Sequence, residues 1–148
     1  MKNLLVVLIA ALSLSSSSPI TPTNNSGSLE LKVENIRQKD GTIWVGLYQS
    51  SEDFLDREQA ILLAARVDRT GSINITLPNL QHGKDYAIAL FHDLNDNGEL
   101  DTNWLGLPSE PWAFSGEPRT RLRLPRFDEV RFRYDRRMNK QQLKLRKW

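Results

Sequence analysis

Asp93, Asn95, Asn97 and Asp101 put side-chain oxygens at positions one, three, five and nine of a D-x-[DN]-x-[DN]-G frame, with Gly98 at position six. Oxygens on alternate residues converge when such a segment wraps round a hard cation, and the glycine lets the backbone turn sharply. The carbonyl of Glu99, at position seven, supplies a further oxygen. Position twelve is Trp104 rather than a bidentate glutamate, so the local set is incomplete, and Glu110 is the nearest later carboxylate able to fold back. The chemistry expected is calcium binding by Asp93, Asn95, Asn97, Glu99 and Asp101, at a weak Kd of about 10⁻⁴ to 10⁻³ M. The same side chains can instead cap a turn at Asn97-Gly98 by accepting backbone N–H bonds.

Other constellations are sparse. His82 and His92 are the only histidines and there is no cysteine, which leaves no thiolate metal site, no disulfide framework and no lipoprotein attachment site. His92 and Asp93 are strand neighbours pointing to opposite faces, so His92 reads as a surface or turn-supporting residue rather than an acid–base partner. No G-x-S-x-G or phosphate-binding glycine loop occurs. Asp101 and Glu110 are the pair that a hydrolase of cell-envelope polysaccharide would use, but sequence spacing does not supply the separation that chemistry requires. The main reading is therefore a non-enzymatic binding or accessory module, with the hydrolase as its alternative.

The surroundings of the acidic loop say how it is held. Tyr86, Ile88 and Leu90 alternate with Ala87, Ala89 and Phe91, so the strand from Asp85 to Phe91 is apolar on both faces and central. After the loop, Trp104, Trp112 and Phe114 read as a flap over the small alanines of that strand rather than as an exposed sugar platform. Upstream, Leu29, Leu31 and Val33 alternate with charged residues, and Thr42–Tyr48 carries Ile43, Val45 and Leu47 on one face. Lys39-Asp40-Gly41 between them predicts a hairpin. Residues 52–59 follow a capping-box-like Ser50-x-x-Asp53 and read as a short helix or an irregular excursion. Strands are expected over Ile61–Val67 and Ser72–Leu77, the latter ended by Pro78.

Three later segments, Thr120–Leu124, Val130–Tyr134 and Leu143–Arg146, alternate apolar with basic residues. A sheet containing them carries cations on its solvent face. Arg121, Arg123, Arg131 and Arg133 are the candidate ligands for an anionic polysaccharide or a protein partner. Pairing of that face with carboxylates such as Glu30 and Glu34 is the competing arrangement. Nucleic acid is not expected, because the aromatic interleaving of its binding modules is missing. Some seven strands, regular turns and almost no helix predict an all-β chain forming one β-sandwich of immunoglobulin-like or transthyretin-like type.

Lys2, the apolar run Leu4–Leu14 and the tract Ser15–Ser18 predict a signal peptide over 1–18, the run being short of the roughly 20 residues a membrane span needs. Residues 19–27 are, apart from Ile20, Pro, Thr, Asn, Ser and Gly and read as a linker, leaving one domain over 28–148. The expected product is periplasmic or secreted, with no transmembrane segment once the signal is removed.

Gly83-x-x-Tyr86-Ala87-Ile88, His92-Asp93-x-Asn95-x-Asn97-Gly98-x-Leu100-Asp101-x-Asn103, Gly106-x-Pro108-x-Glu110 and Phe114-Ser115 resemble the bacterial secreted family catalogued as domain of unknown function 2141. The resemblance spans nearly all of 28–148, including the Gly41–Tyr48 strand and Pro125-x-Phe127-Asp128. It implies a small exported β-sandwich with no established activity. The chain departs from the family's glutamate, glycine, aromatic, glycine, phenylalanine, serine, asparagine run at Glu110-Pro111-Trp112-Ala113-Phe114-Ser115-Gly116. Proline fixes φ and alanine resists positive φ, so the backbone here cannot follow a path that needs glycine.

Overall fold

Strands in which every second residue is apolar bury one face, and two such sheets bury each other. In the computed structural model, which describes residues 25–119 and 123–147, this is the architecture: an all-β sandwich of two sheets. The strands are β1 (Ser26–Ile36), β2 (Thr42–Tyr48), β3 (Ile61–Arg66), β4 (Gly71–Gln81), β5 (Lys84–Asp93), β6 (Trp112–Phe114), β7 (Phe132–Tyr134) and β8 (Lys140–Lys144), with a one-turn helix α1 (Phe127–Val130). One sheet runs β4-β1-β8, with β8 parallel to β1; the other runs β3-β2-β5-β6, with β7 on the opposite end of β5. Between them lie Leu29, Leu31 and Val33 of β1, Ile43, Val45 and Leu47 of β2, Ile75 and Leu77 of β4, Tyr86, Ile88 and Leu90 of β5, and Leu143 and Leu145.

The apolar periods are read correctly from sequence, but several partners are not. β1 and β2 do not form a hairpin, since they lie in different sheets and Asp40-Gly41 crosses between them. Both residues take positive φ, 78° and 79°. A Cβ on Gly41 would sit 2.2 Å from the Asp93 carbonyl oxygen, so the corner closes onto the end of β5 only because it has no side chain. Pro78 does not end β4, which continues to Gln81 through a register shift opposite Gly27 and Leu29, where a strand tolerates proline. Residues 52–59 form turns rather than a helix.

The charged face also differs from expectation. Ser26 and Gly27, expected at the end of the linker, pair with Gln81 and Leu80 as the start of β1. Thr120, Arg121 and Leu122 lie outside the described residues, as do residues 1–24 with the expected signal, and Arg123 and Leu124 are not in a strand. The segment 130–134 divides into the end of α1 and β7, because Phe127 and Val130 must both reach a small apolar cluster with Tyr48 and Ala87 on the outer face of the five-stranded sheet.

Glu129 holds that helical turn. Its carboxylate accepts the Arg126 backbone N–H at 2.9 Å and two Arg123 guanidinium bonds at 2.9 and 2.7 Å. The Arg123 bonds, then the Arg126 amide, hold its pKa down to about 2. A lowered folded-state pKa stabilises above the ordinary carboxylate value and fades as pH falls through the lowered one. The melting-temperature difference between wild type and Glu129→Gln is therefore expected to be constant above pH ~5 and to shrink as pH falls towards ~2. Thermal melts across that range check it; a difference independent of pH would remove this role.

Candidate functional site

Burying a carboxylate requires donors for its oxygens, and the loop after β5 is built on two that are buried. Asp93, the last residue of β5, is 1 % exposed. Its Oδ2 accepts the Gly98 N–H at 2.7 Å and the Trp44 indole N–H at 3.1 Å, and its Oδ1 accepts the Asn97 N–H at 3.2 Å. Glu110 is 4 % exposed, with Oε1 accepting the Leu94 N–H at 2.7 Å and Oε2 the Asp101 N–H at 3.1 Å. Asp93 thus closes the first turn, while Glu110 ties the start of the loop to its middle.

Of the other expected calcium ligands, Asn95, Asn97 and Asp101 come together. Asn95 and Asn97 donate their side-chain N–H groups to Asp101 at 2.8 and 3.0 Å, while their oxygens accept the backbone N–H groups of Asn97 and Glu99 at 3.2 and 2.8 Å. The Glu99 side chain is exposed. Among the described residues, no group of three or more His, Asp and Glu is placed to hold a metal ion. In this arrangement the loop is closed by its own hydrogen bonds. Asp96, which the spacing did not single out, anchors the outer side: Thr42 and Arg66 bond its carboxylate, and these bonds, Arg66 foremost, hold its pKa below the usual range.

His92 is buried and supports the turn, its Nε2 2.8 Å from the Asp40 carbonyl; since a carbonyl only accepts, that nitrogen carries the proton. Both Glu110 oxygens are taken by backbone amides, one of them that of Asp101 itself. The candidate arginines among the described residues are paired. Arg123 bonds Glu129, Arg131 bonds Asp85 and Asp128, and Arg133 lies 3.6 Å from Asp85. Lys140 pairs with Glu30 and Lys32 with Glu34.

Of the expected aromatic flap, Trp112 and Phe114 cover the outer face, with ring centroids 5.3 Å apart, whereas Trp104 is 90 % exposed. It stands on a tip turned outwards by Asn103, whose Oδ1 accepts the Leu105 and Leu107 N–H groups at 2.9 and 3.1 Å. Neither Pro111 nor Ala113 takes positive φ, and β6 lies extended beside β5.

Beside this flap lies a feature that the motif reading missed: a cleft of about 480 Å³ on the outer face of the five-stranded sheet. Gly46 and Ala89 are cross-strand partners at its floor, where Tyr48 lies over Gly46 and the Ala89 side chain is too short to fill the space beside it. Trp44, Tyr48, Phe91, Trp112 and Phe114 supply the aromatic lining, and Leu62, Leu100 and Leu124 stand exposed at its rim. Arg57 lies over the Trp44 ring at 4.8 Å and donates to the Gly98 carbonyl, so the acidic loop fixes one wall. Burial pushes the Tyr48 hydroxyl pKa up. The signal available in sequence was Trp44-x-Gly46-x-Tyr48 on the outward register of β2, where a solvated strand would carry polar residues.

If the Glu110 carboxylate closes the loop, Glu110→Gln leaves one backbone N–H facing an amide donor inside the protein. The expected loss is about 2 kcal/mol, read from the urea midpoint at constant slope. An unchanged midpoint would contradict the assignment.

The family model described as "Uncharacterized protein conserved in bacteria", domain of unknown function 2141, matches residues 31–142, and the chain belongs to that family. No curated protein and no solved structure matches it.

Proposed function

We propose that this member of the uncharacterized bacterial family is an exported, non-enzymatic binding module whose ligand site is the outer-face cleft. The observation that carries the reading is the cleft itself, a concave space of about 480 Å³ walled by five aromatic rings and rimmed by exposed leucines. Its size lies within the range of small-molecule sites, and exposed apolar surface of this kind marks binding. Export rests on Lys2 and the Leu4–Leu14 run.

The lining selects the ligand's chemistry. Hydrogen-bonding side chains are few, which disfavours a sugar and suits an apolar body. Arg57 at the wall bonds a carbonyl and an aromatic face and, among the described residues, has no carboxylate partner, so an anionic end placed there, clear of the Glu99 carboxylate that also lines the cleft, meets a cation. The ligand class is an amphiphile with a hydrocarbon or aromatic body and an acidic end. An anionic surface partner for Arg123, Arg131 and Arg133 is the weaker proposal, because each already holds a carboxylate.

Decanoate and 1-decanol separate these terms in calorimetry. Decanoate is expected to bind saturably and Ala89→Leu to abolish binding by filling the floor. Arg57→Gln should weaken decanoate about ten-fold, ~1.4 kcal/mol, and leave decanol unchanged. Absence of saturable binding by both compounds would refute the cleft as a site.

Calcium is a second proposal, favoured by the convergence of Asn95, Asn97 and Asp101. Ligation requires the two amides to turn their oxygens from backbone N–H groups to the ion, a cost that keeps binding weak. With Kd about 10⁻³ M, 10 mM calcium is roughly ten-fold excess and raises stability by ~1.4 kcal/mol, or about 4 to 8 °C in Tm. Asp101→Asn should remove most of that rise, and a wild-type Tm indifferent to calcium sinks the proposal.

A further inference from the structure

Sheet edges in monomeric proteins are protected, and all but one here are. β4 carries Pro78, a positive-φ Asn79 and outward Asn74 and Thr76. β8 carries Lys140 and Lys144, and its side of the sandwich is closed where Trp112 and Arg146 exchange backbone bonds at 2.9 Å in both directions. β6 and β7 are each three residues long. The remaining edge, β3, is different. Ile61-Leu62-Leu63-Ala64-Ala65 has no charge, proline or glycine before Arg66, and Ile61 and Leu62 are 49 % and 42 % exposed. Among the described residues nothing pairs with its outer side.

The register says what fits there. Val67 exchanges backbone bonds with Gly41 and Asp40 on the β2 side, both at 3.0 Å. By antiparallel alternation, Leu63 and Ala65 also turn their backbone groups to β2, and Leu62, Ala64 and Arg66 turn theirs outwards. Leu63 and Ala65 pack against the core, whereas Leu62 faces the cleft. A strand added to this edge must match both alternations, and the strand that does so without any foreign sequence is β3 itself.

We propose that β3 is the pairing edge for a second copy of this chain, in antiparallel register centred on Leu63. In that register Leu62 and Ala64 of one copy exchange backbone bonds with Ala64 and Leu62 of the other, which satisfies the outward groups of those two residues in both copies. Leu63 meets Leu63 as the non-hydrogen-bonded pair on the core face, and Ile61 meets Ala65. Apolar side chains stand opposite apolar ones throughout, and core and outer faces each run continuously across the two-fold axis. The rims contributed by Leu62 then lie side by side, so the two clefts open on one face of a shared sheet. A six-residue edge is small beside a standard interface, so association is reversible and concentration-dependent.

The absence of cysteine makes the register directly readable. Leu63→Cys places two thiols at a non-hydrogen-bonded cross-strand pair, within reach of a disulfide, whereas Ile61→Cys leaves them about 13 Å apart along the strands. Mild oxidation of the purified protein is expected to link Leu63→Cys as a dimer and to leave Ile61→Cys monomeric. Sedimentation equilibrium from micromolar to millimolar protein should show wild type self-associating, with Leu62→Lys and Ala64→Pro monomeric throughout and unchanged in far-ultraviolet circular dichroism. Ala64→Pro is compatible with the fold because it deletes only an outward N–H. A wild-type monomer at every concentration, or linkage through residue 61 in preference to residue 63, would overturn the proposal.

Discussion

A buried carboxylate must be surrounded by donors, and Asp93 meets that demand with groups from two directions. The Asn97 and Gly98 amides come from its own loop, and the Trp44 indole comes from the neighbouring strand. One side chain therefore sets where the loop turns and how Trp44 lies on the sheet. Glu110 repeats the arrangement at the far end of the segment, drawing the Leu94 and Asp101 amides together. The Arg57 contact to the Gly98 carbonyl and the Leu100 rim follow from that closure.

The same strand end meets a second constraint, the crossing from β1 to β2. Gly41 lies against the Asp93 carbonyl and His92 bonds the Asp40 carbonyl, so corner, strand end and loop are one packed unit. The outer face depends on small residues in the same way. Tyr48 lies over Gly46, where an added Cβ would meet its hydroxyl oxygen at 2.9 Å, and Ala87 joins Phe127 and Val130 in the satellite cluster. The cleft is the part of this face left uncovered beside Trp112 and the cluster that joins Phe54, Phe114 and Phe127. Its chemistry follows from a sheet built to be covered on both sides.

Charge is arranged by strand position more than by composition. The late strands alternate basic and apolar residues as if to display a cationic surface, yet Arg131 and Arg133 share Asp85, which β5 brings opposite β7. Lys140 finds Glu30 because β8 runs parallel to β1. Exposed pairs of this kind contribute little to stability. Of the two arginines that line the cleft, Arg123 is paired in the same way with Glu129, whereas Arg57 bonds a carbonyl and a ring.

Much of this was legible in the chain itself. Period-two alternation located the inward residues Leu31, Val45, Ile75 and Ile88, because a strand has only two faces and burial selects one. The oxygen spacing at Asp93, Asn95, Asn97 and Asp101 marked the loop, and Glu110 was identifiable as a carboxylate able to fold back. Partnership was not legible. Lys39-Asp40-Gly41 has the composition of a hairpin turn, but whether two apolar strands pair edge to edge or face each other across a core depends on what other strands offer, and β4 and β8 took the edges of β1. Nor could spacing tell carboxylates that would ligate a cation from carboxylates spent on backbone amides, since that depends on which N–H groups the fold leaves without another acceptor. The cleft is more tertiary still: Gly46 and Ala89 are distant in sequence, and only the β2–β5 register sets them side by side as a floor.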